Sequence, residues 1–177
     1  MKKLLLSAAF AVCSVIAVNA QATGFQAGAY VGIPVADASD FTSVNLGINL
    51  TYYWDISDDF KLGARTGYDL WTAKEYEIMG AKFKGDDAGF IPVAVSGKYS
   101  FNQFFVGADL GYAIYAGSGD GDGGFLYEPK FGYDAASFDI YAYYKGISSK
   151  QTVNTPMGSY SNSWTMSSIG AGFAYKF

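Results

Sequence analysis

The chain reads as an all-β protein, an eight-stranded antiparallel up-and-down transmembrane β-barrel preceded by a cleaved signal peptide. Three observations predict this. Apolar residues alternate with small or charged ones through most of the chain after residue 24. The connections between these stretches are short and long in turn, and no apolar run after residue 20 approaches the ~20 residues of a membrane helix. A period of two puts successive side chains on opposite sheet faces, so each stretch is a strand with one apolar face.

Residues 1–20 read as an export signal. Met1-Lys-Lys3 is a basic head, Leu4 to Val18 is apolar apart from Ser7, Cys13 and Ser14, and Val18-Asn-Ala20 suits a cleavage site before Gln21. The apolar stretch of 15 residues is short for a span of about 20. Cys13 fits a lipidation box poorly because bulky Val12 precedes it. Residues 21–177 then form one barrel domain.

Phe25, Ala27, Ala29, Val31 and Ile33 give the first strand, with Gln26, Gly28, Tyr30 and Gly32 on its other face. Val44 to Trp54 gives the second and Phe60 to Leu70 the third. Ile91 to Phe101 and Phe104 to Ile114 follow, then Tyr127 to Tyr133, Phe138 to Tyr144 and Ile169 to Phe177, an even total of eight. Asp55 to Asp59, Asn102-Gln103 and Ala135 to Ser137 are the short turns. Pro34–Thr42, Thr72–Gly89, Gly117–Gly124 and Ser148–Thr165 are the long loops, on the opposite rim. Pro92 and Pro129 lie inside strands and predict a bulge or a frayed upper rim, since proline cannot donate to a ladder.

Volume sets the facing. A soluble eight-stranded barrel would turn its apolar face inward, but such an interior is barely wide enough for its own side chains. Here the apolar face carries Phe, Tyr, Trp, Leu and Ile at most positions, while the other face is rich in Gly, Ala and Ser. The large residues therefore face lipid. Lys61, Arg65, Asp69, Lys98, Asp109, Glu128, Lys130, Asp134, Asp139, Lys145 and Lys176 then point into the barrel, where charges must be paired or hydrated. The expectation is a self-satisfied plug; a selective polar conduit is the competing reading. Tyr52, Tyr53, Trp54, Phe60, Tyr99, Phe101, Phe104 and Phe138 crowd near the turns and read as a periplasmic aromatic girdle.

Loss of residues 1–20 removes the single cysteine together with Lys2 and Lys3, leaving 10 basic and 16 acidic residues, a charge of −6. An acidic chain without a Lys/Arg cluster argues against nucleic-acid binding. The chain has no histidine, so Ser-His-acid hydrolysis is excluded, and without histidine or mature cysteine a zinc or copper site is not expected. Asp58-Asp59 and Asp86-Asp87 read as turn formers. Ser118 to Gly124 lacks the oxygen ligands of a calcium loop. No metal and no cofactor is expected.

The alternation, the export signal and the terminal Phe177 together resemble the small outer-membrane barrels of the OmpA/OmpX type. Ile91-Pro-Val-Ala-Val-Ser-Gly-Lys-Tyr-Ser-Phe101 followed by Phe105-Val-Gly-Ala-Asp-Leu-Gly-Tyr112 resembles the outer-membrane β-barrel domain common in Bacteroidota. The resemblance implies an address in the outer membrane of a Gram-negative bacterium, with membrane lipid and lipopolysaccharide as neighbours. It also implies that the last strand, with Phe173, Tyr175 and Phe177, is the signal read by the barrel-assembly machinery. No periplasmic wall-binding domain follows, so an anchoring role is not implied. Barrel enzymes of similar architecture use a histidine, so none of their activities carries over. The expected function is a structural or surface-interaction role through the longer loops, with Trp71, Tyr76, Phe83, Tyr160 and Trp164 as contact residues. The alternative is a narrow channel or transporter for small solutes.

Overall fold

The computed structural model describes residues 24–78, 81–117, 121–155 and 158–177, and side chains except those of residues 76–84 and 150–162 within these ranges. The expected signal segment and Cys13 lie outside the described residues. Eight strands close into an antiparallel barrel: β1 (Phe25–Val35), β2 (Thr42–Asp55), β3 (Phe60–Ala73), β6 (Ala88–Phe101), β7 (Phe104–Tyr115), β8 (Gly124–Asp134), β9 (Phe138–Thr155) and β10 (Gly158–Lys176). One helical turn, α1 (Ala38–Phe41), follows β1, and a small hairpin of β4 (Glu75–Ile78) and β5 (Ala81–Lys84) stands between β3 and β6.

Ring closure joins the two ends of the sequence pattern. β1 pairs with β10 from Gln26↔Lys176 to Val35↔Ser167, and the Phe177 N–H donates to the Phe25 carbonyl at 3.0 Å. Short turns at 56–59, 102–103 and 135–137 share one rim with both strand ends at Phe25 and Lys176. Asn102 takes a left-handed φ of 54° to reverse the chain there, a conformation asparagine tolerates.

Two of the expected long loops contain ladders of their own. Thr72–Gly89 holds the β4–β5 hairpin, and Ser148–Thr165 is largely an extension of β9 and β10. The prolines also act differently from the expected bulge. The β3–β6 ladder is interrupted between Thr66↔Val93 and Asp69↔Phe90, opposite Pro92. The β8–β9 ladder is interrupted between Tyr127↔Gly146 and Lys130↔Tyr143, opposite Pro129. Register is the same on both sides of each gap, because a missing N–H deletes a bond without adding a residue. The other neighbour of each proline pairs normally, as Pro92↔Ala113 and Ala108↔Pro129.

The facing is inside-out relative to a soluble barrel. Val31, Ile33, Ile48, Val93, Val95, Leu110, Phe125, Phe131, Ile140, Ile169 and Phe173 are outward and exposed. Arg65, Asp69, Asp109, Glu128 and Lys145 are inward and buried. Small residues on the inner face make room for inner rings. A Cβ on Gly47 would lie 2.1 Å from the Tyr30 ring, and one on Gly172 would lie 2.4 Å from the Tyr141 ring. Glycine is required there by volume.

Candidate functional site

The interior is layered from the turn rim to the loop rim. Nearest the turns, Lys98 pairs with Asp139 at 2.7 Å and Asp134 at 3.3 Å, and Lys176 pairs with Asp134 and with Asp139 at 2.9 Å. Ser100 donates to Asp134 at 2.6 Å. This layer holds two cations and two anions and is neutral.

A second neutral group fills the centre. Arg65 pairs with Asp109 and with Glu128 at 3.0 Å. Lys130 pairs with Asp109 and with Glu128 at 3.4 Å, and Lys145 with Asp69 at 2.9 Å and Glu128 at 3.2 Å. Ser96 donates to Asp109 at 2.6 Å and shares a 2.7 Å hydrogen bond with Tyr53. The cations also lie against rings, with the Lys145 ammonium 3.8 Å from the Tyr30 centroid and the Lys98 ammonium 4.4 Å from that of Phe105.

Above the charges is a polar seam. Tyr143 and Ser168 both donate to Asn45 Oδ1, at 3.2 Å and 3.1 Å. The mouth on the loop side is then closed by an apolar collar of Trp71, Phe90, Ala94, Ala113, Leu126 and Ile147, with Ala38 of α1 seated on it. Tyr115, Trp164 and Met166 pack around this collar.

Ten of the eleven expected interior charges are therefore brought together. Lys61 is not among them. It sits at the turn rim, pairs with Asp55 at 2.9 Å and keeps 38% of its side chain exposed, because it falls at the mouth of its strand. Tyr53 leaves the expected girdle, since its parity turns it inward onto Ser96. Trp71 is a larger correction. It is fully buried inside the barrel and cannot be a loop contact, because β3 continues past it to Ala73. Trp164 is half-buried at the root of the β9–β10 extension, against the collar. Tyr76 pairs with Phe83 across the β4–β5 ladder and Tyr160 pairs with Val153, but the side chains of these residues lie outside the description.

Sequence reasoning passed over the collar. Phe90 and Leu126 lie one residue beyond a strand end read from alternation and Ile147 lies three beyond, and continuing the same parity places all of them inward. The interior carries five cations and five anions, so the network inside the barrel is neutral, and the described turn rim, with Lys61 against Asp55, Asp58 and Asp59, carries −2. Within the closed ring, which ends at Ser148 on β9 and begins at Ser167 on β10, the outward positions of the described residues carry no Asp, Glu, Lys or Arg.

The loop rim bears the longest projection. Pairing of β9 with β8 ends at Phe125↔Ser148, and pairing of β10 with β1 ends at Val35↔Ser167. The β9–β10 ladder continues alone for seven pairs, from Ser149↔Trp164 to Thr155↔Gly158. At about 3.4 Å per residue this arm is roughly 24 Å long. Lys150 is its one charged residue, and Ser, Thr, Asn and Gln make up most of the rest.

No family profile matches the chain, and no curated protein does. Solved structures of similar fold include the attachment invasion locus protein Ail of Yersinia pestis, at 13% identity over 88% of this chain and 99% of that one, with a TM-score of 0.47. The N-terminal β-barrel domain of Pseudomonas aeruginosa OprF is similar at 14% identity over 86% and 97%, with a TM-score of 0.42. The outer membrane protease OmpT of Escherichia coli is similar at 10% identity over 88% and 94%, with a TM-score of 0.37. The likeness concerns the fold alone.

Proposed function

We propose that this protein is an integral outer-membrane barrel that acts as a surface-interaction module, with its working parts on the loop side. The uncharged, apolar outward face supports the membrane placement, since a closed barrel satisfies every strand edge and leaves only side chains to meet lipid. Lipid and lipopolysaccharide are its neighbours on this reading. Barrel-assembly machinery would recognise its last strand through Phe173, Tyr175 and Phe177.

The β9–β10 arm is the observation that carries the interaction role. Beyond Ser148 and Ser167 its two outer edges have no strand partner among the described residues, so backbone N–H and C=O groups are presented over roughly 24 Å. Native edges of this length are normally blocked by Lys, Pro or bulges. The sequence of this one holds a single Lys, Lys150, and a single Pro, Pro156, among residues that are mostly Ser, Thr, Asn and Gln, with Tyr160 near the turn, a composition that makes adaptable polar contacts around a rigid ring. An extended segment of a partner protein can add to such an edge as a further strand. The charge-balanced interior argues against the alternative of an open solute channel, and the absence of histidine from the sequence argues against hydrolysis by a histidine base.

The test replaces residues 150–162 by an Asn-Gly turn and compares cells displaying the parent and the shortened barrel on surfaces coated with extracellular-matrix proteins. Heat-dependent gel migration checks that both barrels are folded. Adhesion by the parent that is lost in the shortened form supports the proposal. Equal adhesion of both, or steady parent conductance in planar bilayers without adhesion, refutes it.

A further inference from the structure

We infer that the permeability barrier of this barrel is the apolar collar under α1, and that the charged layers below it form a hydrated vestibule reached only from the turn side. The inference uses the membrane-spanning part of the proposal above and adds a sidedness to the interior.

Two observations point to it. At the turn rim Lys176 and Asp134 keep 20% and 16% of their side chains exposed while Lys98 and Asp139 beside them keep 2% and 3%; in the centre Lys130 keeps 9%, and Arg65, Asp69 and Lys145 keep none. At the loop end Trp71, Ala113, Leu126 and Ile147 are 0% exposed and Phe90 is 1%, with the partly exposed Ala88, Tyr115, Trp164 and Met166 packed around them. The two ends also differ in chemistry. In the centre, the Tyr30 hydroxyl, Arg65 Nε and Nη2 and Asp69 Oδ2 have no hydrogen-bond partner among the described residues. Buried polar atoms of this kind take water as their partner when the site is polar. The collar offers a lone indole N–H, that of Trp71, and otherwise only hydrocarbon and ring. A constriction of that composition expels water and blocks ions without needing charge.

α1 completes the closure. Ala38 rests on the collar, Thr42 Oγ1 donates to the Ala38 carbonyl at 2.6 Å, and Ser39 Oγ donates to the Ala36 carbonyl at 2.7 Å. Lys74 fastens the turn to β3 from both ends of its residue. Its N–H donates to the Phe41 carbonyl at 2.9 Å and its ammonium donates to the Ser39 carbonyl. Ion pairs alone would make a weaker barrier, because carboxylates and ammonium groups can exchange partners with water and passing ions. On this assignment the network holds the barrel's shape and the collar holds its seal.

The chain without residues 1–20 contains no cysteine, so single cysteines can report access directly. Ser96, which donates to Asp109, and Asn49, which donates to the Tyr141 hydroxyl at 3.2 Å, both face the charged centre; Ser96→Cys and Asn49→Cys place a thiol there, and a small cationic methanethiosulfonate is applied to either face of proteoliposomes of uniform orientation. Gln103→Cys on the turn rim and Asp86→Cys on the loop rim serve as controls. If each control does not react from its own side alone, the membrane topology fails and the sidedness question does not arise. With the controls in order, both interior thiols should react roughly tenfold or more faster from the turn side, a ratio that a barrier difference of about 1.4 kcal/mol gives. Adding Phe90→Ser with Leu126→Ser should bring the two rates together and produce a steady conductance, whereas Glu128→Gln should leave the loop-side rate low. Equal rates with the collar intact, or no reaction from the turn side, would overturn the inference. So would conductance opened by Glu128→Gln and not by the collar variant.

Discussion

Glu128 is the residue on which the central charge balance turns. It lies within 3.4 Å of three cations, Arg65, Lys130 and Lys145, and its side chain is 1% exposed. Glu128→Gln keeps the volume and removes the charge, leaving three buried cations against Asp69 and Asp109. Removing one partner of a buried ionic group destabilises by about 3–5 kcal/mol, since the remaining charge is neither hydrated nor compensated. Some water reaches the centre if the vestibule is open to the turns, so the lower end, about 3 kcal/mol, is expected. A second substitution at Lys130 restores the balance. Lys130 shares both its partners with Arg65, so Lys130→Met together with Glu128→Gln leaves Arg65–Asp109 and Lys145–Asp69 as intact pairs. The double variant should therefore recover to within about 1 kcal/mol of the parent, a coupling of about 2 kcal/mol. Equilibrium urea unfolding in phospholipid vesicles, followed by tryptophan fluorescence, measures all three. A single-variant loss below about 1 kcal/mol, or a double variant no better than the single one, would show that the interior is not held by charge balance.

Other perturbations address packing, facing and assembly. Gly47→Ala places a methyl on the Tyr30 ring and should cost about 1–3 kcal/mol, with most of the loss absent in a Tyr30→Ala background; equal losses in both backgrounds would discount the close approach. Val95→Arg puts a charge on the outward face, where Val95 is 56% exposed, and should destabilise by about 2–4 kcal/mol in bilayers. A near-neutral result in the same unfolding assay would mean that this face is not in hydrocarbon. Phe177→Asp should cut the amount of heat-modifiable barrel in the outer-membrane fraction severalfold while leaving the precursor made at normal levels. Wild-type amounts in that fraction would exclude Phe177 from an assembly signal.

The fold was legible because a barrel strand is a local pattern. Alternation by itself decided which side of each strand is apolar, the excess of Phe, Tyr, Trp, Leu and Ile over the available interior volume decided that this side faces out, and the turns between Asp55 and Phe60 or Phe101 and Phe104 decided the neighbours. The inward parity of Arg65, Asp69, Asp109, Glu128 and Lys145 followed from the same period. Height within the barrel did not, because alternation is the same at the rim and in the middle. Lys61 and Arg65 share a face and a parity, yet one is at the mouth and the other is sealed. Trp71 looked like loop because the strand's end is set by pairing of Trp71 with Asn45 and Ala88 on its two neighbours, which no stretch of β3 specifies alone. The collar and the central network likewise need strands that are distant in sequence, such as β3 with β8 and β9. Their contacts depend on register and stagger around the closed ring, and those are properties of the whole barrel.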